Sequence, residues 1–230
     1  FWVGLALAFF VFMWVEEGER LALEYLSGYL MEWSLSIDNI FVFILIFSAF
    51  SVKEKYYGCV LLIVILMAII FRVIFITVGV ALVEKFHWIL YVFGVFLVFT
   101  GYKMFTASDD EEFNPQESKI YRFMKKFLPL VPHDGNGKYR VIVNGKPAYT
   151  TLFVVVIMLA AIDLVFALDS IPAVMGISRD KLVIYTSNIF AVLGLRSLFF
   201  LLRGAVSKFD YLQQGIAIVL VFIGCKMLGE

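Results

Sequence analysis

The run from Leu152 to Ile177 is long and apolar enough to cross a bilayer, yet it holds two aspartates, Asp163 and Asp169. A span needs about 20 apolar residues of helix to cover roughly 30 Å of hydrocarbon. A charge at its centre costs about 2.5–3.5 kcal/mol on insertion scales. Acids persist at such depth when they pair with something or do something. Similar apolar runs lie near 1–15, 28–50, 57–83, 88–106, 182–203 and 210–228, so with 150–176 the sequence carries seven.

Hydrophobic residues make up 62% of the 230, with a mean hydropathy of +0.93. Soluble domains hold roughly 45–50% apolar residues. The runs do not alternate in polarity, which excludes a porin-like barrel of strands about 10 residues long. The expected class is therefore all-α: a polytopic membrane protein of about seven transmembrane helices. The formal net charge is zero, so nucleic acid is not an expected partner. Cys59 and Cys225 lie in or beside apolar runs and read as small core residues, with no disulfide framework or zinc pattern. The chain opens at Phe1 inside an apolar run and stops at Glu230, which reads as the ordered part of a longer chain with a shortened first helix.

One transmembrane domain over 1–230 is expected. It divides into an extra helix (1–15), a first repeat (28–106), a polar loop (107–148) and a second repeat (150–228). The loop holds an acidic run (Asp109, Asp110, Glu111, Glu112), a basic amphipathic stretch (KIYRFMKKFL) and a hairpin signal, KYRVIVNGKPAYTT, turning at Asn144-Gly145. Positive charge orients the bundle. Lys53, Lys55, Lys119, Arg122, Lys125, Lys126, Lys138, Arg140, Lys146, Arg203 and Lys208 lie on one side, and Arg20, Lys85, Arg179, Lys181 and Lys226 on the other. That imbalance places loop 107–148 in the cytoplasm of a cell with a bacterial-type plasma membrane. The bilayer is the principal partner, anionic lipid suits the basic stretch, and the loop also offers a surface to protein partners.

The chain repeats itself. EWSLSIDNIF (32–41) aligns with DLVFALDSIP (163–172), pairing Glu32 with Asp163, Asp38 with Asp169 and Asn39 with Ser170. Arg72 pairs with Arg196, and GYKM (101–104) with GCKM (224–227). Each copy holds three helices: one acidic, one with arginine, one Gly-x-Lys-Met. Because three is odd, the second copy enters the membrane from the opposite face. Inverted repeats of this kind hold substrate near the midplane, between the halves. The Gly-x-Lys-Met ends read as close-packing glycines with snorkelling lysines.

Depth and spacing limit what the acids do. Asp163 is too far from either end of its run to reach an interface. From Ile40 to Phe50 there is only about 16 Å of helix, so the second run extends back past Glu32 and Asp38. Four ionised acids against Arg72 and Arg196 leave a balance of −2, which a divalent cation or protons would close. Residues six apart differ by about 240° around a helix. For both acids of a pair to reach one ion, the helix should break near Asp169 to Pro172. Pro172 removes a backbone hydrogen bond and favours such a break. Ser34, Ser36, Asn39 and Ser170 add oxygens. An all-oxygen set suits Mn²⁺, Mg²⁺ or Ca²⁺ better than Zn²⁺ or Cu⁺.

At EWSLSIDNIFVF and DLVFALDSIPAV, with the arginine helices and NGKPAYTTLF, the chain resembles the TerC family of integral membrane proteins, over essentially its whole length. The resemblance implies a core of at least seven helices, Mn²⁺ efflux and a metal site of Glu32, Asp38, Asn39, Asp163, Asp169 and Ser170. The residues alone specify only a hard divalent cation. Arg72 and Arg196 are expected as counter-ions or gates. Mn²⁺, or Ca²⁺ in its place, is then cargo rather than cofactor, and the chain is a carrier rather than an enzyme. Two readings compete: a proton-coupled exporter of an amino acid or other small organic substrate, and an intramembrane aspartyl hydrolase. The hydrolase needs two carboxylates sharing a proton, whereas here there are four in a repeat and no Gly-x-Gly-Asp segment.

Overall fold

The computed structural model describes residues 1–106, 118–143, 145–203 and 212–229; the side chains of residues 38, 104–106, 212–217, 219 and 220 are outside that description. The acidic run Asp109 to Glu112, Asn144 and Lys208 lie outside it as well. Each apolar run is helical: α1 (Trp2–Glu16), α2 (Glu19–Ala49), α3 (Glu54–Lys85), α4 (Ile89–Thr106), α6 (Thr151–Ile177), α7 (Lys181–Leu202) and α8 (Leu212–Gly229). Between α4 and α6 lie the short helix α5 (Lys119–Phe127), one 3₁₀ turn (Gly135–Gly137) and the strands β1 (Arg140–Val143) and β2 (Lys146–Tyr149). Among the described residues, four helices, α2, α3, α6 and α7, are long and apolar enough to cross a membrane; α1 and Ile89–Lys103 are shorter apolar segments.

The helix ends follow local chemistry. The acidic segment between the first two apolar runs, which holds Glu16, Glu17, Glu19 and Glu24, is mostly helix, since α2 begins at Glu19 and only Glu17 and Gly18 separate it from α1. Gly18 makes the turn at φ +93°, a conformation that suits a residue without Cβ. At the far end of α2, Val52 N–H donates to the Phe47 carbonyl and Ser51 N–H to that of Ser48. This is a Schellman cap, with Ser51 at φ +49° where glycine is usual. Asp180 caps α7 by accepting from the Val183 N–H at 3.2 Å. The hairpin forms as the Asn-Gly signal predicts: β1 and β2 pair antiparallel, with Val143 opposite Lys146 and Gly145 at φ +74°.

Helix packing brings distant runs together. α2 lies against α7 and α6, α3 against α6 and α7, and α4 along α8; α1 covers α2 and α7. α4 and α8 approach through bare backbone: a Cβ on Gly224 would stand 2.7 Å from the Gly94 carbonyl oxygen. Lys226 does not simply snorkel; its ammonium donates to the Gly176 carbonyl near the C-terminus of α6, at 3.1 Å. Two large apolar clusters fill most of the interior, with smaller ones under α1. One joins Phe43 and Phe47 of α2 with Leu61 and Val64 of α3, Val155 and Leu159 of α6 and Phe199 of α7. The other joins Ile76 and Val80 of α3 with Leu97 of α4, Ile171 and Val174 of α6 and Ile184 of α7. Along α3, α6 and α7 the gap between the two clusters is filled by Arg72, Asp163 and Asn188, all buried.

The loop after α5 is fastened to the bundle by Lys53, whose ammonium lies 2.6 Å from Asp134. The hydrogen bond from Lys53, then that from the Asn136 N–H, hold the Asp134 carboxyl below the usual carboxylate range. A depressed carboxylate stabilises its partner above its unfolded pKa and loses that effect as pH falls through the folded value. Amide exchange at Asn136, relative to intrinsic rates, should therefore quicken on acidification below the carboxylate range, and Asp134→Asn should abolish that response. Separately, Gly224→Val should lower the melting temperature in detergent, by about 1–3 kcal/mol of overpacking. An unchanged melt would contradict the α4–α8 crossing.

Candidate functional site

The site is built from four helices. α3 carries Arg72 into the gap between the apolar clusters, where its side chain is 2% exposed. Nη1 donates to Glu32 Oε2 of α2 at 2.5 Å and to Asn188 Oδ1 of α7 at 2.8 Å, with Ser170 Oγ of α6 at 3.4 Å. Nη2 stands 3.6 Å from Asp163 Oδ1, within ion-pair range. Glu32, Asn39, Asp163, Ser170 and Asn188 are all buried. The guanidinium fork suits this role, since its charge is permanent and its donors are fixed in a plane.

The layer is not saturated. Among the described residues, Glu32 Oε1, Asp163 Oδ1 and Arg72 Nε, and further along α2 Asn39 Oδ1, are buried without a hydrogen-bond partner. A buried polar atom left unpaired costs about 1–3 kcal/mol, and in native proteins such atoms often mark a water or ion position. Three of these four are oxygens. With Glu32 and Asp163 ionised and Arg72 charged, the layer carries −1. A cation added to the layer would offset that charge.

The other expected residues lie elsewhere. Asp169 is half-buried on another face of α6, where the Thr100 hydroxyl of α4 donates to Oδ1 at 3.4 Å. The break expected near Asp169 to Pro172 is not formed: α6 runs unbroken from Thr151 to Ile177 with Pro172 inside. Pro172 and its neighbours Ile171, Ala173 and Val174 are buried, and their burial outweighs the roughly 3 kcal/mol that an interior proline costs. A regular helix turns Asp163 and Asp169 toward different neighbours. Asp38 belongs to α2, but its side chain is outside the description. Arg196 does not join Arg72. It is exposed on α7, and its Nη2 lies 3.1 Å from where a Cβ on Gly58 would stand. Among the described residues, no three His, Cys, Asp or Glu side chains gather in one place.

Sequence reasoning missed Asn188. Its signal was the one that exposed the acids, an amide inside the apolar run IYTSNIFAV, but without a repeat partner it did not stand out.

The model of the integral membrane protein TerC family matches residues 17–230. An uncharacterized membrane protein of Myxococcus xanthus is 45% identical, over 98% of this chain and 70% of its own length. An uncharacterized membrane protein of Rickettsia felis is 43% identical, over 99% of this chain and 75% of its own. The putative membrane-bound redox modulator Alx of Escherichia coli K12 is 41% identical, over 99% and 73%. No solved structure gives a significant match.

Removing one member of the layer should be far worse than removing all of it. Arg72→Met should destabilise the protein by about 3–5 kcal/mol, because it leaves buried carboxylates unpaired. Combining it with Glu32→Met and Asp163→Leu should restore most of that loss. Thermal denaturation in lipid nanodiscs measures both; a wild-type melt for Arg72→Met would mean the groups are not coupled.

Proposed function

Because the chain belongs to the TerC family of integral membrane proteins, we propose that it is a carrier that exports Mn²⁺, or a similar hard divalent cation, across the bacterial plasma membrane. The observation that carries this reading is the unsaturated buried layer: two carboxylates from different helices, held apart by one arginine, with oxygen acceptors left over. All the free acceptors are hard oxygens, the ligand type that Mn²⁺, Mg²⁺ and Ca²⁺ prefer.

Arg72 acts as a resident cation. In the empty state its guanidinium pairs with Glu32 and Asp163 and offsets one of their two charges. An entering divalent ion competes for the same oxygens, and repulsion between the two cations pushes the guanidinium back toward Asn188. Ser170 and Asn39 then supply hydroxyl and amide oxygens to the ion. Asp169 and Asp38, one on each acidic helix, serve as relay carboxylates along the path rather than as ligands of the same ion at the same moment. Arg196 guards the route near Gly58.

The reciprocal contacts support an inverted repeat. α2 lies on α7 as α3 lies on α6, and α4 lies on α8. That is the pattern a two-fold axis relating helices 2–4 to helices 6–8 produces. Seven crossings, with loop 107–148 in the cytoplasm by the positive-inside rule, complete the arrangement, and rocking of one half on the other opens the layer to each side in turn. The Alx relatives are named as redox modulators. Here Cys59 and Cys225 are free and exposed on separate helices, and the charged layer favours ion movement.

Mn²⁺ uptake into inside-out vesicles tests the reading. Asp163→Asn and Glu32→Gln should each reduce uptake more than about tenfold, the ordinary consequence of losing a charged ligand. Asp169→Asn should slow transport while sparing Mn²⁺ binding. Undiminished uptake by a folded Asp163→Asn protein would end the proposal.

A further inference from the structure

The short helix α5 sits outside the ion layer and has chemistry of its own. Ser118 starts it by accepting from the Tyr121 N–H. Ile120, Tyr121, Met124 and Leu128 face the bundle, with Met124 buried and the Tyr121 ring edge-on to Phe50 at 5.4 Å. Phe50 follows the last residue of α2, so α5 lies at the level where the bundle ends. Phe123 and Phe127 have no such cover. They are 64% and 62% exposed, and their rings meet at 4.6 Å. At 100° per residue, the phenylalanine pair points roughly 90° away from the face that holds α5 to the bundle. Lys119 and Lys126 lie just beyond the pair on the outer arc, and Arg122 and Lys125 complete that arc. Lys126 also rests on the Phe127 ring at 5.7 Å.

A helix in water gains nothing by exposing two adjoining phenylalanines beside four cations. A helix lying in a membrane interface does: the rings enter the acyl boundary and the cations meet the headgroups. Beside α5 a cavity of about 720 Å³ opens, lined by Ser51, Tyr121, Lys125, Leu128 and Thr151. One cation, three hydroxyl side chains and the first turn of α6 thus line it beside apolar side chains, and the first turn of a helix carries positive dipole.

We propose that α5 and this cavity form a binding site for an anionic phospholipid of the leaflet on the long-loop side. Phe123 and Phe127 embed at its acyl boundary. The headgroup phosphate is held by Lys125 with Ser51 and Thr151, and Lys119, Arg122 and Lys126 favour further anionic neighbours. The site stands on the membrane-protein fold and does not depend on which ion is carried.

The test uses the full chain with Cys59→Ser and Cys225→Ser, and Phe123→Cys carrying an environment-sensitive fluorophore. It is placed in nanodiscs of phosphatidylcholine, with or without phosphatidylglycerol. Brominated phosphatidylglycerol should quench the label several-fold more than brominated phosphatidylcholine. Each basic side chain near an anionic surface is worth about a fivefold preference. Lys125→Ser combined with Lys126→Ser should remove most of that preference at low salt, with an unchanged melting temperature. Excess inorganic phosphate should leave quenching unaltered. Three results would overturn the proposal: a label that reports water in both nanodiscs, which leaves the face to a protein or a second copy; equal quenching by the two lipids; or abolition by phosphate, which makes the site a receptor for free anions.

Discussion

The pairing of Arg72 with Glu32 and Asp163 governs the interior. Each of these groups is too costly to bury alone, and each is tolerable only because the others are present. The pairing also binds α2, α3 and α6 into one unit, with α7 joined through Asn188. A fastening of this kind differs from an apolar contact in one respect. It can be undone without unfolding if another cation replaces the guanidinium, because the carboxylates need a positive charge and not arginine in particular.

The apolar clusters on either side isolate that pairing. Ile76 and Ile171 close the layer on one side, and Ala68, Leu159 and Val192 on the other. Water is kept from the charges, so the electrostatic interactions among them are stronger than the same groups would have at a surface. On α3 and α7 the buried polar residues occupy a single turn with apolar packing four residues away on both sides, whereas α6 contributes Asp163 and, two turns on, Ser170.

Much of this was legible in the sequence, for physical reasons that differ from residue to residue. Glu32, Arg72 and Asp163 declared themselves because charge inside an apolar run is costly. The hairpin was legible because Asn-Gly fits a two-residue turn that few other dipeptides do. Asp169 was legible as an acid at depth but not as a residue facing Thr100, since a helix continuing through Pro172 depends on tertiary burial that no local pattern contains. The start of α2 at Glu19 was obscured by its acidic, water-facing first turns. Asn188 was hidden because an uncharged amide inside an apolar helix carries a weaker signal than a carboxylate.

The glycine crossing of α4 and α8 has a mechanical meaning. Most helix pairs interlock through side-chain ridges seated in grooves, so relative movement proceeds in jumps from one seat to the next. Where Gly224 meets the Gly94 carbonyl, backbone lies on backbone, with Val98 and Leu228 beside the contact. Such a crossing resembles a bearing more than a gear: it fixes the separation of the two helices closely and leaves few seats to climb when their crossing angle changes.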